Sequence, residues 1–307
     1  MAITLHEIDL HYLGLRGAIS SWAIHGPDGW VLVESGPESC WPRLESGLQS
    51  LGIKPEDLKA LLLTHIHLDH AGGAWRLAER GVPVHVHEFG ARHLIDPSKL
   101  VASATRIYGD SMSRLWGQIN PCDGELVHGC GDGCVINAAG LQLRAVETPG
   151  HAAHHHAWSL EDEETAICFS GDAAAMLIPE TPWISIPMPP PEFDLEAWHA
   201  TIDRLEAGNW NRMCLTHGGS LDSEDEIEDH LKRLREGLDQ QVEVIQMICQ
   251  QEGDPTQQQA AYRAWLLKTA EAAGIEESQF DGFVSTGLLG MNLMGVRRYL
   301  DQKAAQG

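Results

Sequence analysis

"THIHLDH", residues 64–70, places three histidines and one aspartate within seven positions. Histidine is the commonest side-chain metal ligand, and a carboxylate is a hard anionic one. A chain that only needed to fold would gain little by crowding them together. The motif closes the run "LKALLLTH" (58–65), which is short and apolar. That run reads as a buried strand delivering the histidines to its C-terminal end.

Outward from this point, strand and helix signals mix. "ITLHEIDLHYLG" (3–14) alternates enough for a first strand, and "SSWAIHG" and "GWVLVESG" flank the turn pair Pro27-Asp28 as a hairpin. "CWPRLESGLQSLG" reads as a helix stopping at Gly52, "AGGAWRLAERG" as a helix ending at Gly81, and "VPVHVHEF" as the next strand. Residues 89–120 are mixed and largely helical, with Tyr108 and Trp116. "GLQLRAVETPGH" and "TAICFSGDA" are further strands ending in polar clusters. Residues 178–192 carry six prolines and should form an ordered, irregular loop. "FDLEAWHATIDRLEAG" is helical and "RMCLTHGG" is a last strand and loop.

From about residue 224 only helix signals remain. Ile227, Leu231, Leu234, Leu238, Val242, Ile245 and Cys249 form an amphipathic stripe, and Asp254-Pro255 starts another helix as cap and first residue. The expected organisation is an α/β domain over 1–222 followed by a helical region over 223–307.

Several strands end in a ligand-type residue: His151 in "TPGH", Asp172 in "SGDA" and His217 in "LTHGG". With His65, His67, Asp69 and His70 they make seven side chains. Strand ends at one sheet edge converge on one crevice. Seven ligands exceed the four of a tetrahedral zinc site but suit two metals sharing a carboxylate. Two such cations lower the pKa of a shared water, so that hydroxide serves as nucleophile near neutral pH. Asp69 then orients the hydroxide or passes a proton to the leaving group.

"THIHLDHAGG", "TPGH", "GD" and "THG", in that order, resemble the metallo-β-lactamase fold superfamily over roughly residues 1–220. The resemblance implies an α/β protein with a four-layer αβ/βα sandwich and a binuclear site on one edge. Position by position, it implies His65, His67 and His151 on the first metal. Asp69, His70 and His217 fall on the second, with Asp172 as bridge. A histidine four residues after the ligand recurs in related sequences, which assigns His155 an outer hydrogen bond. One departure stands out: Glu34 replaces the family's usual aspartate, and it can still reach a ligand histidine. His85, His87, His154 and His156 read as structural.

The superfamily hosts many reactions, so composition must narrow them. A net charge of −23 excludes nucleic-acid substrates, which need a dense basic footprint. β-Lactamases of this fold generally lack the bridging aspartate and are exported. The N-terminus here carries no signal-peptide pattern, and no apolar stretch is long enough to span a bilayer. Flavodiiron enzymes carry Glu where His67 stands. The remaining reading is a cytoplasmic, glyoxalase II-like or lactonase-like hydrolase of a small thioester, lactone or related ester. The alternatives are a mononuclear iron enzyme like persulfide dioxygenases, and a metal-stabilised scaffold without activity. The expected cofactors are two divalent ions, zinc first, with iron or manganese as alternatives. The expected partner is a small-molecule substrate, without nucleic acid or membrane, and self-association is left open. Tyr108 and Trp183 are candidate substrate contacts. "FVSTGLLGMNLMGVRRYL" (283–300) either caps the site or forms a subunit interface. The seven cysteines read as reduced thiols. "CGDGC" (130–134) reads as a glycine-rich turn in preference to a second zinc site with Cys122.

Overall fold

The apolar run before the histidines is covered on both faces. The structure, a computed structural model, describes residues 3–162, 165–251, 253–284 and 286–306. Its first sheet orders its strands as in the chain: β1 (Thr4–Asp9), β2 (Ser20–Gly26), β3 (Gly29–Val33), β4 (Leu58–Leu62), β5 (Val84–His87) and β6 (Val127–Cys130). The pairs β1–β2 and β2–β3 are antiparallel, and β3 to β6 are parallel. On β4, Leu61 faces a layer of helices while Ala60 and Leu62 face a second sheet. A parallel strand buried on both faces needs apolar residues throughout, which is why "LKALLL" shows no alternation.

The second sheet holds β7 (Val135–Ala138), β8 (Leu141–Glu147), β9 (His156–Glu161) and β10 (Ala166–Phe169). A small ribbon of β11 (Met176–Leu177) and β12 (Ile184–Ser185) follows, and then β13 (Arg212–Cys214) and β14 (Ser220–Leu221) complete the sheet beside β10. Between the sheets, Trp22, Val31 and Leu62 pack with Leu143, Trp158 and Phe169. Burying a side chain such as Leu62 or Phe169 contributes roughly 1.5–3 kcal/mol. The "CGDGC" segment is the turn that carries the chain from β6 to β7, and so from one sheet to the other.

Helices cover both outer faces. α1 (Trp41–Ser50), α2 (Leu68–Ala71), α3 (Ala74–Ala78), α4 (Glu88–Ile95), α5 (Ser98–Tyr108) and α6 (Met112–Trp116) belong to the first half. Trp41, Leu44, Leu48, Trp75 and Leu77 pack under the first sheet. The second sheet is covered by α7 (Leu195–Glu206), α8 (Glu224–Gln250), α9 (Pro255–Ala272), α10 (Glu277–Phe283) and α11 (Thr286–Gln306). The result is the four-layer α/β/β/α sandwich with a C-terminal helical region. Ser223 caps α8, and Asp254 caps α9 with Gln257 returning a bond to it, each cap contributing about 1 kcal/mol. Leu231, Leu238, Tyr262 and Phe280 share one continuous core with Cys168, Trp198 and Met213 of the second sheet's layer. Among the described residues no helix is long and apolar enough to cross a membrane.

Three local readings change. The first strand stops at Asp9, because its carboxylate accepts from the backbone N–H of His11 and Gly17 at 2.9 Å each. The chain then turns through His11 and Leu13, both with positive φ, instead of extending to Gly14. The β9 strand has no counterpart in the sequence reading, because it is buried from His156 to Leu160 and so shows no alternation. Finally, the strand ends that carry ligands do not share one sheet: β4 lies in the first, and β8, β10 and β13 lie in the second.

Candidate metal centre

Two sheets bring their strand ends to one edge. The loop after β4 carries His65, His67, Asp69 and His70, the last two already in the single turn of α2. His151 follows β8, Asp172 follows β10 and His217 follows β13. Glycines permit the approach. A Cβ on Gly171, at φ +51°, would lie 2.5 Å from Thr64 Oγ1 and 2.7 Å from His155 Nε2. On Gly150, at φ +134°, it would strike Trp198. Cross-sheet bonds complete the edge: the His156 side chain meets the Leu63 carbonyl at 2.9 Å, and Trp158 Nε1 donates to it at 3.0 Å.

The seven candidates converge. His65 Nε2 and His151 Nε2 lie 2.8 and 2.9 Å from His67 Nδ1, so three imidazole nitrogens face one point. On the other side, His70 Nε2 and His217 Nε2 are 3.4 Å apart and lie 3.9 and 3.7 Å from Asp69 Oδ2. Asp172 stands between. Its Oδ2 is 3.3 Å from His151 Nε2, and its Oδ1 is 3.2 Å from His70 Nε2 and 3.3 Å from His217 Nε2. Lone pairs gathered at such distances repel unless a cation or shared protons lie among them. This donor set fits divalent metal ions.

The opposite ring nitrogens are held. His70 Nδ1 donates to Glu34 Oε1 at 3.2 Å, His151 Nδ1 to the Pro187 carbonyl at 2.9 Å, and His217 Nδ1 to the Ala18 carbonyl at 2.6 Å. In a neutral ring each bond keeps the proton on Nδ1, which turns the Nε2 lone pair toward the centre. Glu34 Oε1 also accepts from Thr64 Oγ1 at 2.5 Å, so the longer side chain does reach, from a backbone at φ +64°. His155 hydrogen-bonds Thr148 Oγ1 through Nδ1 at 2.8 Å, and its Nε2 accepts from the Asp172 backbone N–H at 3.1 Å. That bond fixes the loop carrying the shared carboxylate.

Burial and the neighbouring imidazoles hold His65 and His67 well below the usual histidine range. Burial would also lower His70 and His217, but Asp172 and Asp69 outweigh it and raise both. Burial would raise the Asp172 carboxyl, yet His70, His151 and His217 hold it well below the usual carboxylate range. The most open ligand is Asp69, whose side chain is 27% exposed. His67 is also partly exposed, so these two mark the open side of the cluster.

An aromatic wall stands on that side. Leu68, between two ligands, packs with Trp116, Tyr108, Tyr12 and Met112. The Trp116 ring lies 5.1 Å from Tyr108 and 5.7 Å from Tyr12. Burial, and then the Asp69 charge, raise both tyrosines above the usual phenol range. Tyr108 O–H also donates to Met291 Sδ of α11 at 3.7 Å. Tyr12 is hidden in the sequence because the pattern of the first strand runs on through it; the "HYLG" turn after a capping Asp9 is the available signal. Trp183 sits elsewhere. Its indole donates to Thr269 Oγ1 at 3.0 Å and meets Phe280 at 5.6 Å, within the core of the C-terminal helices. His85 stacks on His128, and His87 Nδ1 accepts from the Phe89 N–H at the start of α4, so both serve their own strand and its neighbours.

Comparison with known proteins agrees with this geometry. The sequence profile described as the Metallo-beta-lactamase superfamily matches residues 14–119. A metallo-beta-lactamase family protein from Thermus thermophilus superposes with a TM-score of 0.72 at 21% identity, covering 99% of this chain and 94% of that one. A metallo-beta-lactamase fold-containing protein from Sulfurisphaera tokodaii is 27% identical over 183 residues, 58% of this chain and 67% of that protein. A hydroxyacylglutathione hydrolase from Albidiferax ferrireducens is 29% identical over 153 residues, 49% of this chain and only 46% of that protein. The chain has the metallo-beta-lactamase fold, and its residues 14–119 match that superfamily's profile.

Proposed function

We propose that the protein is a binuclear metallohydrolase acting on a small thioester, lactone or related ester. The observation that carries this reading is the division of Asp172, with Oδ2 toward His151 and Oδ1 toward His70 and His217. A carboxylate so placed can serve two cations at once. Two divalent ions bound there, zinc, iron or manganese, would supply an activated water and a Lewis acid for the acyl oxygen.

The chain's own residues do the remaining work. Glu34, Pro187 and Ala18 fix the orientation of three ligand rings. Asp69, on the open side, can hold an ion, take a proton from the incoming water and return it to the leaving group. The Tyr12 and Tyr108 hydroxyls, within reach of the Asp69 charge, can donate to an oxyanion as it develops. Leu68, Met112 and Trp116 offer an apolar face for an acyl chain.

The partial likeness to a hydroxyacylglutathione hydrolase supports a thioester as one candidate. The net charge of −23 supports a small substrate over a nucleic acid. We place the protein in the cytoplasm on the same reading. Anaerobic assays of metal-loaded protein against thioesters, lactones and esters test it, because hydrolysis needs no oxygen. Turnover should persist without oxygen. Activity only on persulfides and only with oxygen would overturn the proposal, and efficient RNA cleavage would overturn the charge argument.

A further inference from the structure

We infer that Asn292, on the last helix, is a positioning residue of the first metal triad, acting through the Pro187 carbonyl on His151. The inference rests on the reading that His65, His67 and His151 hold an ion. His151 Nδ1 donates to Pro187 O at 2.9 Å. That carbonyl shares its peptide plane with Met188 N–H, whereas the preceding Ile186–Pro187 peptide has no N–H and can be held only through the Ile186 carbonyl. These are the two anchors on either side. Asn292 takes both: its Oδ1 accepts from Met188 N at 2.8 Å, and its Nδ2 donates to Ile186 O at 2.8 Å. One side-chain amide thus brackets the carbonyl that orients a ligand. The two backbone partners, one donor and one acceptor, also fix which way the amide points.

The surroundings show that this grip is built. Asn292 is buried, and Nδ2 also donates to Tyr262 Oη at 3.1 Å, whose O–H donates to Gln241 Oε1 at 2.6 Å. Burying three polar side chains in an apolar core costs desolvation that a leucine at 292 would avoid. Each bond made to the 186–188 strap gives the network a use beyond packing. One turn further along α11, a Cβ on Gly295 would lie 2.0 Å from Met188 O. Only glycine lets the helix seat that closely on the strap. The same helix supports the aromatic wall through Met291 and Tyr108. The C-terminal helix is therefore part of the metal centre's support, in addition to any covering role.

The test uses full-length protein stripped of metal and reloaded with Zn²⁺ or Co²⁺, with affinities read by competition against a chromophoric chelator. Asn292→Ala should weaken one of two ions by about 10-fold or more and alter the cobalt spectrum, the range set by loss of an outer ligand partner. Tyr262→Phe is the control. It disturbs the same buried network but leaves the Asn292 grip on Ile186 and Met188, so stability should fall while metal affinity holds. Wild-type affinity for both ions in folded Asn292→Ala overturns the inference. So does Tyr262→Phe weakening the ion as much, since that would be general loosening. If Asn292→Ala does not fold, Asn292→Asp decides. It keeps the acceptor for Met188 N but sets a carboxylate against Ile186 O, and wild-type affinity there is equally fatal. Wild-type protein that takes up neither ion would instead defeat the metallohydrolase reading on which this inference stands.

Discussion

The two halves of the centre are built differently. The first, His65, His67 and His151, is compact, with ring nitrogens 2.8–2.9 Å apart and no carboxylate of its own. The second, Asp69, His70 and His217, is looser at 3.4–3.9 Å, contains the partly exposed Asp69, and is backed by the buried Glu34. Burial and imidazole crowding lower His65 and His67, while carboxylates overcome burial to raise His70 and His217. Three imidazoles are a sufficient zinc set on their own. A looser, anionic set facing the opening suits the side where charge and protons move. On this view the first half holds and the second half works, with Asp172 as the ligand turned toward both.

Asp172→Ala is the severest way to break that comparison. Metal content should fall from two ions toward one, retained by the three-histidine half. Turnover should drop by more than the about 10²–10³-fold that loss of a single oxyanion donor costs. Elemental analysis with steady-state kinetics reads both. A wild-type protein fully active with one ion would contradict the division of labour. The next largest effect concerns the wall on the working side. Tyr108→Phe should lower kcat by about 10²-fold if its hydroxyl meets the developing oxyanion. Tyr12→Phe should fall in the same range. If kcat/KM is unchanged in both, the substrate lies on the other side of the ions.

The clustered side chains were legible because each sits within a few residues of a strand end, where a short polar motif interrupts an apolar run. The fold was implied by the resemblance of these four motifs, in that order, to the metallo-β-lactamase superfamily. The unread parts depend on backbone groups. Tyr12 reaches the site through a positive-φ turn that the Asp9 carboxylate stabilises, and a strand pattern hid it. Asn292 acts through the carbonyl of Pro187, far away in the chain, and neither residue type marks the pairing. The strand patterns alone did not separate the two sheets, because β9 is buried almost throughout and shows no period; only the family resemblance implied both. Trp183 shows the reverse: an aromatic in a proline-rich loop near the site can point into the core instead.

Glu34 separates the two halves more finely. Its Oε1 receives His70 Nδ1 and Thr64 Oγ1, and both partners lie under the centre. Glu34→Gln replaces a charged acceptor with an amide of the same reach. The ion on the Asp69, His70 and His217 side should then bind about 10-fold more weakly, near the low end for an outer partner. The other ion should weaken less, because Glu34 meets His65 only through Thr64 Oγ1, 3.1 Å from His65 Nδ1. Chelator competition on Zn²⁺-loaded protein distinguishes the two. Equal weakening of both would mean that the halves share one support, and the comparison would have to be abandoned.

The smallest expected effect lies at Trp183. The indole is 8% exposed, donates to Thr269 Oγ1 at 3.0 Å and meets the Phe280 ring edge-on. Trp183→Phe keeps an aromatic ring against Phe280 but leaves Thr269 Oγ1 without that donor. Loss of one such bond costs about 1 kcal/mol of stability. The residue lies just before β12, and the 186–188 strap follows directly, so any effect on the centre must pass through that strap. The strap is held independently by Asn292, so the disturbance should end there. Thermal unfolding should shift downward while kcat/KM and both metal affinities stay at wild-type values. A fall in kcat/KM with an unshifted Tm would return Trp183 to the substrate, and the wall described for the working half would have to extend across to the holding half.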